Sequence, residues 1–248
     1  MMKILILLIC LEHNIIQCAK AEDSKKVEDK KLMELLNNNE YSPHIRPDGE
    51  GEDMSTEVTV TMFVRALGPV TDLSMDYDLD ITLRQQWRDP RLEFHTIYGN
   101  EELTLKAVDK IWKPDTFFRN DKVTTAFTVP APASYARISG DGTVLYSVRV
   151  KSKLYCPLDL SMFPFDKQTC IMDLASCKTL LFCILKSKEL IPDGYKKDDI
   201  RYTWRTDDPI SMGKTSSFLP NFSIDSFNQT NVDVDTNTGD DNTINSYF

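Results

Sequence analysis

The stretch Cys156-Pro-Leu-Asp-Leu-Ser-Met-Phe-Pro-Phe-Asp-Lys-Gln-Thr-Cys170 sets two cysteines around thirteen residues, with Phe163-Pro164-Phe165-Asp166 near its middle. In an exported chain, a cross-link at that separation closes a loop and is worth about 3 kcal/mol in the chain-entropy account. Two cysteines at one spacing do not distinguish this loop from an unrelated disulfide. What surrounds it has to decide.

Upstream, the pattern has period two. Val58, Val60, Met62 and Val64 alternate with Thr59, Thr61, Phe63 and Arg65. After Gly68-Pro69, Tyr77, Leu79, Ile81 and Leu83 alternate with Asp78, Asp80, Thr82 and Arg84. Beyond a turn at Gly140-Asp141-Gly142, Val144, Tyr146, Val148 and Val150 alternate with Thr143, Leu145, Ser147 and Arg149. Strands with one dry and one wet face predict an all-β, two-sheet sandwich. Arg65, Arg84 and Ser147 then share the wet side. Pairing of the strands would gather them into one cationic, hydroxyl-bearing patch; taken alone, the pattern favours ordinary solvated residues over a site.

The 248 residues allow one large all-β domain or two small ones. With 38 acidic against 29 basic residues, net −9, nucleic acid and anionic membrane are poor partners. A small basic pocket for an anion remains compatible with that surface. At the N-terminus, Lys3, the apolar run Ile4–Leu11 and Ala19-Lys20-Ala21 predict a signal peptide over 1–21. Its removal takes Cys10 and Cys18 and leaves Cys156, Cys170, Cys177 and Cys183 in an oxidising compartment. Residues 22–53 read as a short helix near Lys31–Leu36 followed by a loop, and 54–248 as the main domain. No later apolar run approaches the ~20 residues of a membrane span, so the expected product is secreted as written.

Several ordered motifs narrow the family. Tyr77-Asp-Leu-Asp-Ile-Thr-Leu-Arg84-Gln-Gln-Trp87-Arg-Asp89-Pro-Arg91-Leu92 is similar to the second strand of anion-channel members of the Cys-loop receptors, with Leu83 in place of a Phe. Trp112-Lys-Pro-Asp115-Thr-Phe117-Phe118 resembles that family's Trp-x-Pro-Asp-x-Phe-Phe segment, and Gly142-Thr-Val-Leu-Tyr-Ser147-Val-Arg149 its next binding strand. The Cys156–Cys170 segment resembles the signature loop of the same family, the pentameric neurotransmitter-gated ion channels. The resemblance covers 54–176, then 195–240 less tightly, and is best to glutamate-gated chloride channels.

That resemblance implies an immunoglobulin-like two-sheet β-sandwich after a short N-terminal helix, a ligand-binding domain ahead of four membrane helices, with agonist held between neighbouring subunits. Arg65, Arg84, Ser147 and Lys214 match the basic and hydroxyl groups of the complementary face, where carboxylates need charge-assisted donors. Phe117, Phe118 and Ser176 match the principal face. It also implies a Cys156–Cys170 disulfide, whose loop tip (Phe163, Pro164, Phe165, Asp166) couples binding to the pore, with a possible cis bond at Phe163-Pro164.

The principal face departs from the pattern. The family continues Ser-Tyr-x-Tyr or Ser-Tyr-x-Trp, whereas Ser176 is followed by Cys177-Lys178, an apolar run and Ile191-Pro192-Asp193 before Gly194-Tyr195 resumes the motif. Residues 177–193 read as an insertion. Cys177-Lys178 can be encoded TGT-AAG, containing GTAAG, and Pro192-Asp193 CCA-GAT, containing AG; removing the interval restores Ser-Tyr-Gly-Tyr. A retained intron fits these codons, and a genuine loop with a Cys177–Cys183 disulfide is the alternative; sequence of the transcript separates them. Near Thr236-Asn-Thr-Gly-Asp240, Asp241, Thr243 and Val232 stand where an aromatic and two paired cysteines belong.

No catalytic constellation accompanies these motifs. His13, His44 and His95 lie in no metalloprotease or nucleophile context, no glycine-rich phosphate loop is present, and the aspartates at 207–208 and 240–241 lack calcium-loop spacing. Neither metal nor cofactor is expected. Asn221 and Asn228 begin N-glycosylation triplets. The implied partners are a small transmitter, glutamate first, and other subunits of a pentamer; a soluble secreted transmitter-binding protein and a non-functional truncated product are the other readings.

Overall fold

A computed structural model describes residues 41–49, 54–94, 102–128, 132–163, 165–176, 199–213, 228–236 and 239–247, together with Lys30, Glu34, Leu36, Ile224 and Ser226; from 232 onward it describes backbone alone. The predicted signal peptide and the 177–193 insertion lie outside these residues. Lys30, Glu34 and Leu36 carry helical backbone, and Leu36 packs against the core.

Among the described residues, twelve strands form two sheets: β1 (Thr56–Thr71), β2 (Asp76–Arg88), β3 (Leu103–Leu105), β4 (Thr116–Phe118), β5 (Asp121–Ala126), β6 (Ser134–Ile138), β7 (Thr143–Tyr155), β8 (Ile171–Ser176), β9 (Ile200–Trp204), β10 (Ile210–Met212), β11 (Asn228–Thr236) and β12 (Gly239–Tyr247). The larger sheet runs β10-β1-β2-β7-β6-β3, with β5 also on β7 and β9 also on β1. The smaller runs β11-β12-β8-β4. This is the two-sheet, all-β sandwich that the alternation predicts.

The dry faces meet as expected. Val58, Val60, Met62 and Val64 of β1, Leu79 and Ile81 of β2, and Val144 and Leu154 of β7 are buried against Met172 and Leu174 of β8 and Tyr202 of β9. Burial of such side chains is worth roughly 1.5–3 kcal/mol each before chain entropy is counted. Tyr146 and Val148 are only half-buried, because they line an open cleft instead of closing on a neighbour.

The Trp87-Arg88-Asp89-Pro90-Arg91-Leu92 motif acts as a clasp. Asp89, fully buried, caps the short turn Pro90–Leu92 and accepts from the Arg91 backbone N–H at 3.1 Å. It also accepts from Arg91 Nε and Nη2 at 2.8 Å each and from the Tyr41 hydroxyl at 3.1 Å. The Arg91 guanidinium lies 4.7 Å from the Tyr41 ring centre, and Tyr41 in turn accepts from the Trp112 N–H at 2.9 Å. Trp87 meets Trp112 edge-to-face at 5.6 Å. One carboxylate thus ties the segment before β1 to two sheet motifs. Gly142 completes the clasp: its φ is +81°, and a Cβ there would sit 2.6 Å from the Asp89 carbonyl oxygen.

Replacing Asp89 with Asn strands half of a buried ion pair. We expect Asp89→Asn to lower unfolding free energy by about 3 kcal/mol, the low end for buried pairs because Arg91 is partly exposed. Urea denaturation at neutral pH checks this; a change under 1 kcal/mol would remove the clasp from the account.

Candidate ligand-binding site

The outward face of the large sheet is set by the pairing of β2 with β7. Asp78 lies opposite Lys153, Asp80 opposite Lys151, Thr82 opposite Arg149 and Arg84 opposite Ser147. Along the first half of this face every charge is matched. Asp76 meets Lys122 at 2.8 Å and Lys153 at 3.8 Å, and Asp78 meets Lys153 at 3.3 Å and Lys151 at 3.2 Å. Asp80 holds Arg149 through two hydrogen bonds, Nε at 3.0 Å and Nη2 at 2.5 Å, and the same guanidinium covers the Phe127 ring at 4.1 Å. The Asp80 bonds are the main cause that raises the Arg149 pKa above its usual value.

Past Thr82, neither β2 nor β7 carries another acid. Arg84 makes no ion pair or hydrogen bond among the described residues; it stands between Thr61 of β1 and Ser147 of β7. Ser147 is on the wet side yet only 3 % exposed, because Tyr135 of β6 flanks it. Arg65 sits at a register shift between Val64 and Ala66, where its Nε donates to Thr82 Oγ1 at 2.7 Å. Thr82 and Arg84 share a face two residues apart, about 7 Å along the strand. The sheet therefore brings Arg65, Arg84 and Ser147 together. A groove of about 350 Å³ opens beside them, with Arg84 in its wall.

Phe117, Phe118 and Ser176 lie elsewhere, on the small sheet. Thr116 pairs with Ser176, Phe117 with Ala175 and Phe118 with Leu174. Phe118 is buried at 4 % exposure, whereas Phe117 is half-buried and lines an open cleft of about 310 Å³ with Tyr146 and Val148. The Ser176 hydroxyl donates to Asp115 Oδ1. Beside it, the Tyr202 hydroxyl meets Thr116 Oγ1 at 2.8 Å, and Gln85 Nε2 donates to the same oxygen. Burial, then the nearby Asp115 charge, push the Tyr202 phenol well above its ordinary pKa. Sequence reading missed this chain of polar groups. The available signal was Gln85, an amide at a dry position of β2, which required a partner inside the sandwich.

The sulfurs of Cys156 and Cys170 are bonded, with their Cα atoms 5.1 Å apart. Gln168 ties the loop to itself: it accepts from the Asp159 N–H at 3.0 Å and donates to the Asp159 carbonyl at 2.7 Å and to Asp166 Oδ2. Held this way, the tip leaves Phe163 at 72 % and Phe165 at 90 % exposure. Pro164, Lys214 and Asn221 lie outside the described residues; Asn228 is exposed at the start of β11. Across the β11–β12 hairpin, Val232 lies directly opposite Thr243, the two positions where the sequence lacks paired cysteines.

A family profile for the neurotransmitter-gated ion-channel ligand binding domain matches residues 28–180. The chain belongs to that family. It is 33% identical to the glutamate-gated chloride channel of Drosophila melanogaster over 218 residues, 87% of this chain and 44% of the relative. It is 35% identical to the glycine receptor subunit beta of Homo sapiens over 209 residues, 82% of this chain and 38% of the relative. The rat subunit matches to the same extent. The chain thus spans less than half the length of these curated relatives. Within one copy, Arg65, Arg84 and Ser147 belong to the large sheet and Phe117, Phe118 and Ser176 to the small one. Among the described residues, no helix is long and apolar enough to cross a membrane.

The matched charges at the far end of the same face give a pH prediction. Hydrogen bonding from Lys122 chiefly holds Asp76 below the usual carboxylate pKa, with Ser74 and the lysine charges adding to it against the opposing effect of burial. A depressed carboxylate contributes stability that is complete above the unfolded value near 3.9 and is lost as pH falls through the lower folded value. Asp76→Asn should cost on the order of 1 kcal/mol at pH 7, limited because both lysines are part-exposed and screened. The gap between variant and wild type should shrink steadily below about pH 4. Thermal melts from pH 7 to 3 test this; a gap that is constant or widens on acidification contradicts it.

Proposed function

We infer that this chain is the extracellular, agonist-binding part of a channel subunit gated by glutamate and selective for anions, with agonist held at the junction of two subunits in a pentamer. The observation that carries the reading is Arg84 opposite Ser147, with Arg65 held one step away by Thr82. A dicarboxylate needs a charge-assisted donor for each end, and arginine supplies a two-pronged one. A monocarboxylate such as glycine leaves one of the two cations unused. Glutamate therefore suits this face better, although relatives named for each transmitter are similarly identical. Lys214 is proposed as a further carboxylate contact, and Asn221 and Asn228 as glycan acceptors.

On this reading, Phe117, Phe118 and Ser176 of one copy face Arg65, Arg84 and Ser147 of the next. Binding that is stronger in the closed arrangement than in the open one shifts the population, and the Cys156–Cys170 loop passes that shift to the membrane part. The exposed aromatic pair at its tip supports a contact role for Phe163, Phe165 and Asp166, since large apolar groups held in solvent mark interaction surfaces. Residues 1–21 are proposed to serve export, and 54–248 to be the binding domain that follows the 22–53 segment. No catalytic role is assigned.

A narrower version has a specific support. The Ser176 hydroxyl is already bonded to Asp115, and Phe118 is buried, so the face carrying them offers fewer groups to ligand. That favours a subunit contributing its basic face to a heteromer.

Equilibrium binding of labelled glutamate to the assembled full chain, alone and with a partner subunit, tests the proposal. Saturable binding should weaken about tenfold or more in Arg84→Gln and a few-fold in Ser147→Ala, the scale of one charge-assisted and one neutral hydrogen bond. Saturation by glycine and not glutamate would overturn the transmitter assignment. Absence of saturable binding by either would favour the non-functional product.

A further inference from the structure

The groove at Arg84 continues past the residues used above. One row further from Thr82, Gln86 lies opposite Leu145 on β7, and Leu145 lies opposite Arg137 on β6. On the other side, Arg205 leaves the end of β9 with its backbone N–H donating to the Val60 carbonyl at 3.1 Å, next to Thr61, the β1 partner of Arg84. Arg84, Arg137 and Arg205 thus share the wall of one groove. Two strand spacings and two residues separate the backbones of Arg84 and Arg137, about 12 Å, and their side chains point into the space between.

None of the three has a carboxylate partner among the described residues. The contrast lies within one sheet face, in a chain with 38 acidic and 29 basic residues, where Lys122, Lys151, Lys153 and Arg149 are all matched. Arg137 and Arg205 are also held in place by groups that leave their charge intact. The Arg137 guanidinium rests 5.5 Å from the Tyr135 ring centre, and Arg205 Nε donates to the Asp207 carbonyl at 2.9 Å. Like charges gathered in a concavity raise its potential and oppose folding, so a cluster positioned without counter-charge is suited to an external anion.

We propose that Arg137 and Arg205, with Arg84 between them, form a second anion subsite that takes a small polyanion bearing clustered carboxylates or phosphates. It rests on the reading of Arg84 as an anion contact and not on which transmitter occupies the first position. A short dicarboxylate held between Arg65 and Arg84 does not extend to Arg137, so the two positions are separable. A polyanion seated here competes for Arg84 and lowers transmitter affinity.

Calorimetric titration of the full chain with pyrophosphate, citrate and glutamate, each at 50 and 200 mM NaCl, tests this. Pyrophosphate or citrate should bind saturably, and the preferred one identifies the anion as phosphate or carboxylate. Arg137→Gln and Arg205→Gln should each weaken that binding about three- to tenfold and flatten its salt dependence, with glutamate affinity unchanged. Polyanion binding equal to wild type in both variants, or absent from the wild type, overturns the subsite. Loss of subunit assembly in the variants with unaltered polyanion binding also overturns it and makes these arginines cross-subunit ion-pair groups. If glutamate fails to bind while polyanion binding still depends on both arginines, the transmitter assignment falls and the subsite stands.

Discussion

The register of β2 against β7 is the constraint on which the rest depends. It places Asp78 and Asp80 across from Lys153 and Lys151, and the same count places Arg84 across from Ser147. A slip of one residue would turn Leu79, Ile81 and Leu83 to water and drive the acids and Arg84 into the sandwich. The dry side of the strand therefore fixes the wet side. The charged ladder and the bare arginines are two consequences of one alignment, and the ladder leaves no spare acid near Arg84. An Arg with its own carboxylate neighbour would offer a ligand much less.

Within one copy the sandwich holds the two groups of candidate ligand contacts apart. Arg65, Arg84 and Ser147 belong to the outward face of the large sheet, whereas Phe117 and Ser176 belong to the small one. The polar chain Gln85–Thr116–Tyr202, with Asp115–Ser176 beside it, runs through the interior between them. Gln85 follows Arg84 directly, so the strand that presents the cation outward anchors its next residue inward, to the strand bearing Phe117. Part-buried hydrogen bonds, which are costly to leave unmade, therefore join the two sides.

Much of this was legible in the chain itself. Alternation in 58–65, 77–84 and 143–150 gave the sandwich and the side on which Arg65, Arg84 and Ser147 stand, because strand period is a backbone property. The motif around Asp89 was legible as resemblance, but not as a clasp onto Tyr41, since a contact 48 residues away leaves no local trace. Likewise, alternation could not say that Arg149 would be neutralised by Asp80 while Arg84 stayed bare; that depends on which strands become neighbours. Arg137 and Arg205 went unremarked for the same reason, being single cations on a short strand and at a strand end. Tyr146 and Val148 have the pattern of core residues yet line an open cleft, a matter of sheet spacing that periodicity does not encode.

A structure of the assembled chain with glutamate bound tests the central claim most directly. The account predicts one carboxylate of the ligand within hydrogen-bonding distance of the Arg84 guanidinium and the Ser147 hydroxyl, the other toward Arg65, and Phe117 of a neighbouring copy across the ligand. Glutamate bound away from the β2–β7 face, or Arg84 engaged by an acidic side chain of its own subunit, would contradict it.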